Sequence, residues 1–414
     1  MKICVLTLGC KVNEYESLSM VSQLKKGGHE VTNVLEFADI YILNTCAVTN
    51  MAERKSRQMI GKIKKVNNQA KIIVAGCASQ NNAKQFENYE NVVGILGNKG
   101  KDNISQYIDN VIKELYPLSD CYDNFEYATK LNTRHYIKIQ DGCNNFCTYC
   151  IIPYTRGRSR SRDKQDILNE IKNCQASEIV LTGINVSDYR INGERALIEL
   201  LEEIDKLNVR FRLSSLECVI IDDCFIERLK KLKNFCPFFH LSLQSACNET
   251  LKRMNRHYTI EQYIDVCNKL KLAFPDCCIS TDLIVGFKGE TDEEFEDTYQ
   301  NLQKIPFAFI HVFPYSIRKG TNAEKLSGDV PIDVVKQREK KLLDYSNKIY
   351  DEFIQNNLNK EHFVLIEQFD GKYSVGYTEN YIYSYIDKEL NEGSIVKAVA
   401  VERFKDGIKA EIKN

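Results

Sequence analysis

Hydrophobic residues open the chain as a continuous run. Lys2–Leu8 reads as a buried strand that ends at Gly9-Cys10. Unbroken apolar runs, rather than alternating ones, are what strands covered on both faces require. Helical spacing follows over 13–27, with Leu18, Val21 and Leu24 apolar and Gly27-Gly28 as the stop. His29–Val34 and Ile40–Leu43 predict two more strands, the second ending at Asn44-Thr45-Cys46. Thr49 is placed to cap a helix reaching about Val66, with Glu53 near its first turn. Lys71–Ala75 predicts a further strand and ends at Gly76-Cys77. Strands that alternate with helical runs imply a parallel α/β sheet.

Residues 101–130 hold a helical run and then a polar stretch, Ser119–Thr129, read as a linker. Strand patterns then recur at Tyr136–Gln140, Ile179–Leu181, Val209–Leu213, Phe239–Leu243, Cys278–Ile284 and Ala308–Pro314. Helical segments fall between them, near 164–175, 195–207, 223–234, 259–273 and 291–304. Six strand–helix units predict a (β/α)6 partial barrel, whose active site belongs at the C-terminal ends of its strands. A charged amphipathic helix is expected over Ile332–Asn356. Five short strands follow in Phe363–Glu367, Lys372–Tyr377, Ile382–Ile386, Ile395–Val401 and Gly407–Glu411, separated by Gly, Asn and Asp. They predict a small antiparallel barrel, either a structural cap or an oligonucleotide binder. The expected division is 1–118, 131–356 and 357–414.

Composition is that of a globular protein: 414 residues, 43% hydrophobic and 27% charged. No apolar run reaches the roughly 18 residues that a membrane span needs. Met1–Leu6 leads straight into a strand and lacks the features of a signal peptide, so a cytoplasmic protein without a membrane partner is expected. Net charge is −1, which as a whole gives no sign of a polyanion partner. Basic residues still cluster locally, at Arg156, Arg158, Arg160 and Arg162 and at Lys252, Arg253, Arg256 and His257. The 16 cysteines do not read as a disulfide framework in a long chain without an export signal. Metal ligation suits six of them, and the others, such as Cys174, Cys267, Cys277 and Cys278, read as small core residues.

Those six fall into two groups. Cys143, Cys147 and Cys150 have the spacing C-x-x-x-C-x-x-C within Asp141–Cys150. So short a loop can aim three thiolates at one place, which suits soft metals and iron–sulfur clusters. A closed zinc site needs a fourth ligand, and no His or Cys follows nearby; the competing reading is a partial zinc knuckle. Cys10, Cys46 and Cys77 each stand directly after a strand. In a parallel sheet the carboxyl ends of the strands share one edge, where ligands bind. These cysteines either converge there on a second cluster or are three unrelated buried residues.

The motifs together resemble the radical S-adenosylmethionine methylthiotransferases, over essentially the whole chain. Leu8-Gly9-Cys10-Lys11-Val12-Asn13, with Glu16-Ser17, is similar to the signature of the MtaB branch. So are Ile139-Gln140-Asp141-Gly142-Cys143 and the run from Cys150 through Pro153-Tyr154 to Arg156-Gly157. Arg212-Leu213-Ser214-Ser215-Leu216-Glu217 and the run Phe313-Pro314-Tyr315-Ser316 to Gly320-Thr321 match as well. Lys288, His257 and Cys218-Val219 depart from the family pattern, at loops away from the six cysteines.

The resemblance implies two [4Fe–4S] clusters and S-adenosylmethionine. Cys143, Cys147 and Cys150 are then expected to hold the radical cluster, and Cys10, Cys46 and Cys77 the auxiliary, sulfur-delivering one. Tyr149 is expected near the adenine, Gly183 and Asn185 near the methionine amino group, and Glu217 and Gln244 near the ribose or methionine part. Arg156, Arg158 and Arg160 are candidates for phosphate contact. The implied reaction is methylthiolation at C2 of N6-threonylcarbamoyladenosine, position 37 of tRNAs reading codons that begin with A. The implied partners are tRNA and an electron donor such as flavodoxin or ferredoxin, and the implied state is a monomer with a TRAM-like C-terminal barrel. The alternatives are the same chemistry on isopentenyladenosine tRNA or a ribosomal protein, or a non-catalytic iron–sulfur RNA-binding redox sensor.

Overall fold

The computed structural model describes residues 1–109, 113, 115–128 and 133–413. Five parallel strands form the first sheet: β1 (Lys2–Thr7), β2 (Glu30–Thr32), β3 (Ile40–Thr45), β4 (Lys71–Gly76) and β5 (Val92–Ile95). Their order is β2-β1-β3-β4-β5. Helices α1 (Lys11–Lys26) and α2 (Asn50–Val66) follow β1 and β3. Thr49 caps α2, its hydroxyl accepting from the Ala52 amide at 3.1 Å. β5 escapes the sequence pattern because it is short and holds Gly94. The strand order reverses between β1 and β3, and open α/β sheets bind ligands outside such a switch point. Cys10 and Cys46 follow those two strands.

The predicted linker is a packed strap over its described part. Phe125 is buried, Asp123 pairs with Lys99, and the Tyr122 hydroxyl donates to the Lys138 carbonyl at 2.9 Å. Thr129, and residue 131 where the central unit was expected to begin, lie outside the described residues.

Six parallel strands build the centre: β6 (Arg134–Lys138), β7 (Glu178–Thr182), β8 (Arg210–Leu213), β9 (Phe238–His240), β10 (Cys278–Val285) and β11 (Phe309–Pro314). β6, β7 and β8 are neighbours, as are β9, β10 and β11. The parallel bridges Phe211↔Phe235 and Leu216↔Leu241 join the two halves. The helices lie close to their expected places, from Lys164–Cys174 to Asp292–Leu302.

Strand side chains alternate between faces. Ile137, Ile179, Phe211, Phe239, Ile279 and Ile310 join the core under the helices. Their alternates Tyr136, Arg212, His240, Asp282 and His311 therefore face the lumen. Closed barrels of this type fill that space with bulky branched side chains; here it is polar.

The C-terminal strands are β12 (Glu361–Phe369), β13 (Ser374–Tyr377), β14 (Tyr383–Ile386), β15 (Ile395–Phe404) and β16 (Gly407–Ile412). They close into a barrel in the order β12-β13-β14-β16-β15. The expectation of a wholly antiparallel barrel needs one correction, since β14 and β16 pair in parallel. β15 crosses over to lie beside β12, and β16 turns back from it, which leaves β16 running with β14.

This small barrel seals the base of the large one. Tyr381 stacks on Phe238, ring centres 4.4 Å apart, and Arg212 lies 5.3 Å from the Tyr381 ring. Glu178, fully buried at the start of β7, pairs with Arg134, Arg210 and Arg212. Among the described residues no helix is long and apolar enough to cross a membrane.

Candidate active site

Cys10 stands immediately before α1, with no capping bond from its side chain, and is exposed. Cys46 follows β3, Cys77 opens a short helix after β4, and both are buried. Gly9 is what allows the first two loops to meet. Its φ is +116°, and a Cβ there would lie 2.8 Å from Cys46 Cβ and 3.1 Å from Cys46 Sγ. Asn13 ties the same loops together, donating from Nδ2 to the carbonyls of Leu8 at 2.7 Å and Thr45 at 2.9 Å. Cys77 Sγ accepts from Arg156 Nε at 3.3 Å and from Asn98 Nδ2 at 3.4 Å.

Arg156 corrects an expectation from sequence. It is 1% exposed and cannot meet a phosphate at the surface. A two-residue antiparallel pairing, Gln140↔Ser161 and Asp141↔Arg160, folds the 156–161 segment back against the end of β6. Arg156 Nη1 donates to Glu16 Oε1 at 2.8 Å and Asp141 Oδ1 at 3.1 Å, and Nη2 donates to Asn13 Oδ1 at 2.7 Å. Arg160 is also buried, against Asp141 and the Arg156 carbonyl. Only Arg158 is exposed, its guanidinium 4.5 Å from the Phe146 ring.

The buried cluster holds four cations, Lys101, Lys138, Arg156 and Arg160, against two carboxylates, Glu16 and Asp141. Burial opposes ionisation of Asp141, but Lys138 and Arg156 hold its carboxyl well below the usual range. Buried ions are costly unless paired. The cationic excess beside Cys77 is an environment for an anionic group.

The second group lies on one loop. Thr148 anchors it, with its amide donating to the Met254 carbonyl at 3.0 Å and its hydroxyl to the Arg253 carbonyl at 2.9 Å. Phe146 adopts a left-handed φ of +47°, and Asn255 Nδ2 holds the Asn145 and Phe146 carbonyls at 3.2 Å. Arg256 Nη1 donates to Cys147 Sγ at 3.3 Å, and its Nη2 pairs with Glu217. Asp141 Oδ1 accepts from the Gly142 amide at 2.7 Å, one residue before Cys143. A chain of contacts thus runs from Cys77 through Arg156 and Asp141 to the start of the second cysteine loop.

Burial pushes the thiols up, Cys46 and Cys150 to about 12 and Cys143 to about 11. Metal ligation needs thiolates, and each group receives one guanidinium on a sulfur. Among the described residues no three His, Cys, Asp or Glu side chains close around a single ion. A four-iron cube takes each thiolate on a different iron, so its cysteines stand further apart, and the all-sulfur donor set suits it.

Other expected residues divide. A cavity of about 360 Å³ opens beside the Cys143 loop, lined by Asn144, Asn145, Asn185, Glu217, Arg256 and Tyr258 among others. Asn185 and Glu217 are therefore brought together. Gly183 is not in that lining; it packs against Gln140, whose carbonyl oxygen a Cβ there would meet at 3.0 Å. Gln244 is not in that lining; with φ at +71°, its amide donates to the Asp282 carbonyl at 2.8 Å. Tyr149 packs elsewhere, edge-on to Phe287 in a cluster with Met254 and Ala323.

Glu16, Gln140 and Arg256 were missed as site residues. Gln140 accepts from the Asn185 amide at 2.8 Å and donates to the Gly142 carbonyl at 2.7 Å, tying two strand-end loops together. Its place two residues before Gly142 was the available signal. Cys121 and Cys224 are exposed, unlike the core cysteines they were grouped with.

Residues 137–302 match the radical SAM superfamily, and residues 2–97 match a family described as uncharacterized protein family UPF0004. That superfamily carries a [4Fe–4S] cluster and uses S-adenosylmethionine. The chain is 35% identical to the threonylcarbamoyladenosine tRNA methylthiotransferase MtaB of Bacillus subtilis (strain 168), over 97% of this chain and 93% of that protein. It is 36% identical to the MtaB of Thermotoga maritima, covering 93% and 92%. A tRNA-2-methylthio-N(6)-dimethylallyladenosine synthase of Oceanobacillus iheyensis is 34% identical, covering 97% and 82%. Among solved structures, the radical S-adenosylmethionine methyltransferase TsrM of Kitasatospora setae shares the fold, with a TM-score of 0.52, 12% identity, and coverage of 76% and 74%. Matches of this identity, running nearly the full length of both proteins, place the chain in the MtaB family of radical S-adenosylmethionine methylthiotransferases.

Proposed function

We propose that the chain attaches a methylthio group to C2 of N6-threonylcarbamoyladenosine, at position 37 of tRNAs that read codons beginning with A. Cys143, Cys147 and Cys150 hold one [4Fe–4S] cluster, and Cys10, Cys46 and Cys77 hold a second. When bound, the first with S-adenosylmethionine supplies the radical that opens the C2–H bond, and the second supplies sulfur.

The protein's task is to position the reactants and keep out water. Arg156 and Arg256 steady the two thiolate sets through Cys77 and Cys147. Asn185 and Glu217, with the backbone at Gly183, receive the amino-acid part of S-adenosylmethionine. Tyr149, backed by the buried Phe287, lies toward its adenine, and Gln244 toward its ribose or methionine part. Arg158 and the C-terminal barrel contact tRNA. Units 1–118, 131–356 and 357–414 act as one monomer in the cytoplasm, reduced by a flavodoxin- or ferredoxin-type donor.

The observation that supports this reading is the chain of contacts that links the two cysteine groups. Arg156 touches Cys77 on one side and Asp141, two residues before Cys143, on the other. Mass spectrometry of tRNA nucleosides from a deletion strain tests it, with loss of the 2-methylthio form and build-up of its precursor expected. Unchanged nucleosides would refute the reading. Anaerobic reconstitution tests the second cluster: about eight iron atoms per chain are expected, and about four would rule it out.

A further inference from the structure

Lys11 follows Cys10 directly and is the first residue of α1. A cation there faces the positive end of the helix dipole, which disfavours it. It is half-buried on a helix packed beside β6, and the charges whose fields reach it are mostly cationic: Arg134 and Arg212 at the base of the lumen, and His311 on β11. Glu14, on its own helix, and the neighbouring Cys10 thiolate are the anionic groups that act on it. Among the described residues no carboxylate stands within ion-pair distance of the Lys11 ammonium, and it donates no hydrogen bond.

Its neighbours differ. Arg134 and Arg212 share Glu178, and His240 stands 3.4 Å from Asp282. Buried charges in folded proteins are paired, because an unpaired one is expensive. A local rule broken without compensation marks a functional position. Lys11 breaks two, dipole and pairing, on the residue next to a proposed cluster ligand.

An anionic ligand group resolves both. The proposed substrate supplies one inside the site. Adenine is neutral and the phosphates stay on the outer backbone, but the threonyl part of the N6 substituent ends in a carboxylate. C2 and C6 flank N1 of the same ring, so a base that turns C2 toward Cys10, Cys46 and Cys77 carries its N6 substituent beside them. Consecutive Cα atoms are only about 3.8 Å apart, which puts the Lys11 side chain within reach.

We propose that Lys11 is the specificity residue of this site, its ammonium pairing in the barrel lumen with the carboxylate of the N6 substituent. This deepens the tRNA reading and rests on it.

The test uses two anticodon stem-loop RNAs that differ in one group, the N6 substituent ending in a carboxylate or in the matching carboxamide. Binding and methylthiolation are measured with the reconstituted full chain, and iron content is checked in every preparation. The original chain should bind the carboxylate RNA about tenfold or more tighter. Lys11→Met and Lys11→Gln should bring the ratio to about twofold or less by weakening the carboxylate RNA alone. Lys11→Arg should restore most of the preference, which a merely structural role would not produce. If both neutral variants keep the tenfold preference, or the original chain has none, the Lys11 inference is overturned while the function stands. If the original chain methylthiolates neither RNA, the functional reading falls and takes this inference with it.

Discussion

Cys143, Cys147 and Cys150 lie on one eight-residue loop, whereas Cys10, Cys46 and Cys77 are delivered by three strands of a parallel sheet. Each group has one arginine on one sulfur, but the arginines come from different places. Arg256 belongs to the same barrel as the loop it serves. Arg156 lies just beyond the barrel's third cysteine, yet it reaches across to Cys77 of the first sheet. The local site is nearly self-contained. The dispersed one borrows its counter-charge from its neighbour, so its integrity depends on the barrel more than the barrel's depends on it.

The widest break between the two sites should come from removing the cysteines themselves. Replacing Cys143, Cys147 and Cys150 by Ala should abolish both 5′-deoxyadenosine and methylthiolated product, because no radical can form. Replacing Cys10, Cys46 and Cys77 should leave 5′-deoxyadenosine formation in place, at a lower rate, and abolish the product alone. One chromatographic assay with mass detection reads both. Methylthiolated product from the N-terminal triple variant would remove those cysteines from sulfur delivery.

The borrowed arginine sharpens the contrast in stability. Arg156→Met removes the donor that Glu16, Asp141 and Asn13 share in the interior, although Lys101, Lys138 and Arg160 stay on the two carboxylates, and a loss of about 3–5 kcal/mol is expected. Arg256→Met strands Glu217, whose side chain is 15% exposed and can reach water, so about 1–3 kcal/mol is expected. Urea unfolding followed by far-ultraviolet dichroism measures both. Equal losses would mean that the dispersed site does not depend on its neighbour as described.

This contrast also explains what was legible in sequence. The Cys143 loop is local, so its spacing alone carries its chemistry. The strand-end positions of Cys10, Cys46 and Cys77 were equally plain, because apolar runs stop where the cysteines begin. The role of Arg156 was hidden. Four arginines at alternate positions look like a solvated face, and only the pairing of Asp141 with Arg160 shows that the segment folds inward. Long-range hydrogen bonds such as Arg156 to Asn13 leave no periodic trace. The parallel β14–β16 pair was hidden for the same reason, since strand patterns give no order.

At the base of the barrel, Glu178 offers a comparison by pH. Burial would raise its carboxyl, but Arg212, Arg210 and Arg134 together hold it down to about 2. A depressed carboxyl stabilises the fold above its unfolded value of about 4.5 and loses that contribution as pH falls toward 2. The amount is about 3 kcal/mol. Unfolding midpoints measured from pH 6 to pH 3 should fall for the parent and flatten for Glu178→Gln. Parallel curves would show that this ion cluster does not hold the base of the barrel.

A smaller and more local break is Gly9→Ala. The added Cβ meets Cys46 at 2.8 Å, and the backbone is held at a φ that alanine disfavours. A cost of about 1–3 kcal/mol is expected, with lowered iron uptake at the N-terminal site only. Iron counted in a background lacking Cys143, Cys147 and Cys150 isolates that site. Full occupancy there would mean that the loops can part without disturbing the cysteines.

The smallest effect should come from Arg158, and it separates the arginines of this segment by function. Arg156 and Arg160 are buried in ion pairs, so neither can exchange counterions with an RNA backbone. Arg158 is exposed over the Phe146 ring, on the rim of the Cys143 loop. Removing one phosphate contact weakens binding alike for all sequences and lowers the salt slope by about one. Arg158→Ala should therefore weaken tRNA binding modestly at low salt and converge on the parent as salt rises, with stability unchanged. Truncation of residues 358–414 should reduce the slope further if the C-terminal barrel carries most phosphate contacts. Filter binding of tRNA across a salt series decides the matter. A slope untouched by Arg158→Ala would leave the whole arginine segment structural and assign the rim of the radical loop no part in holding RNA.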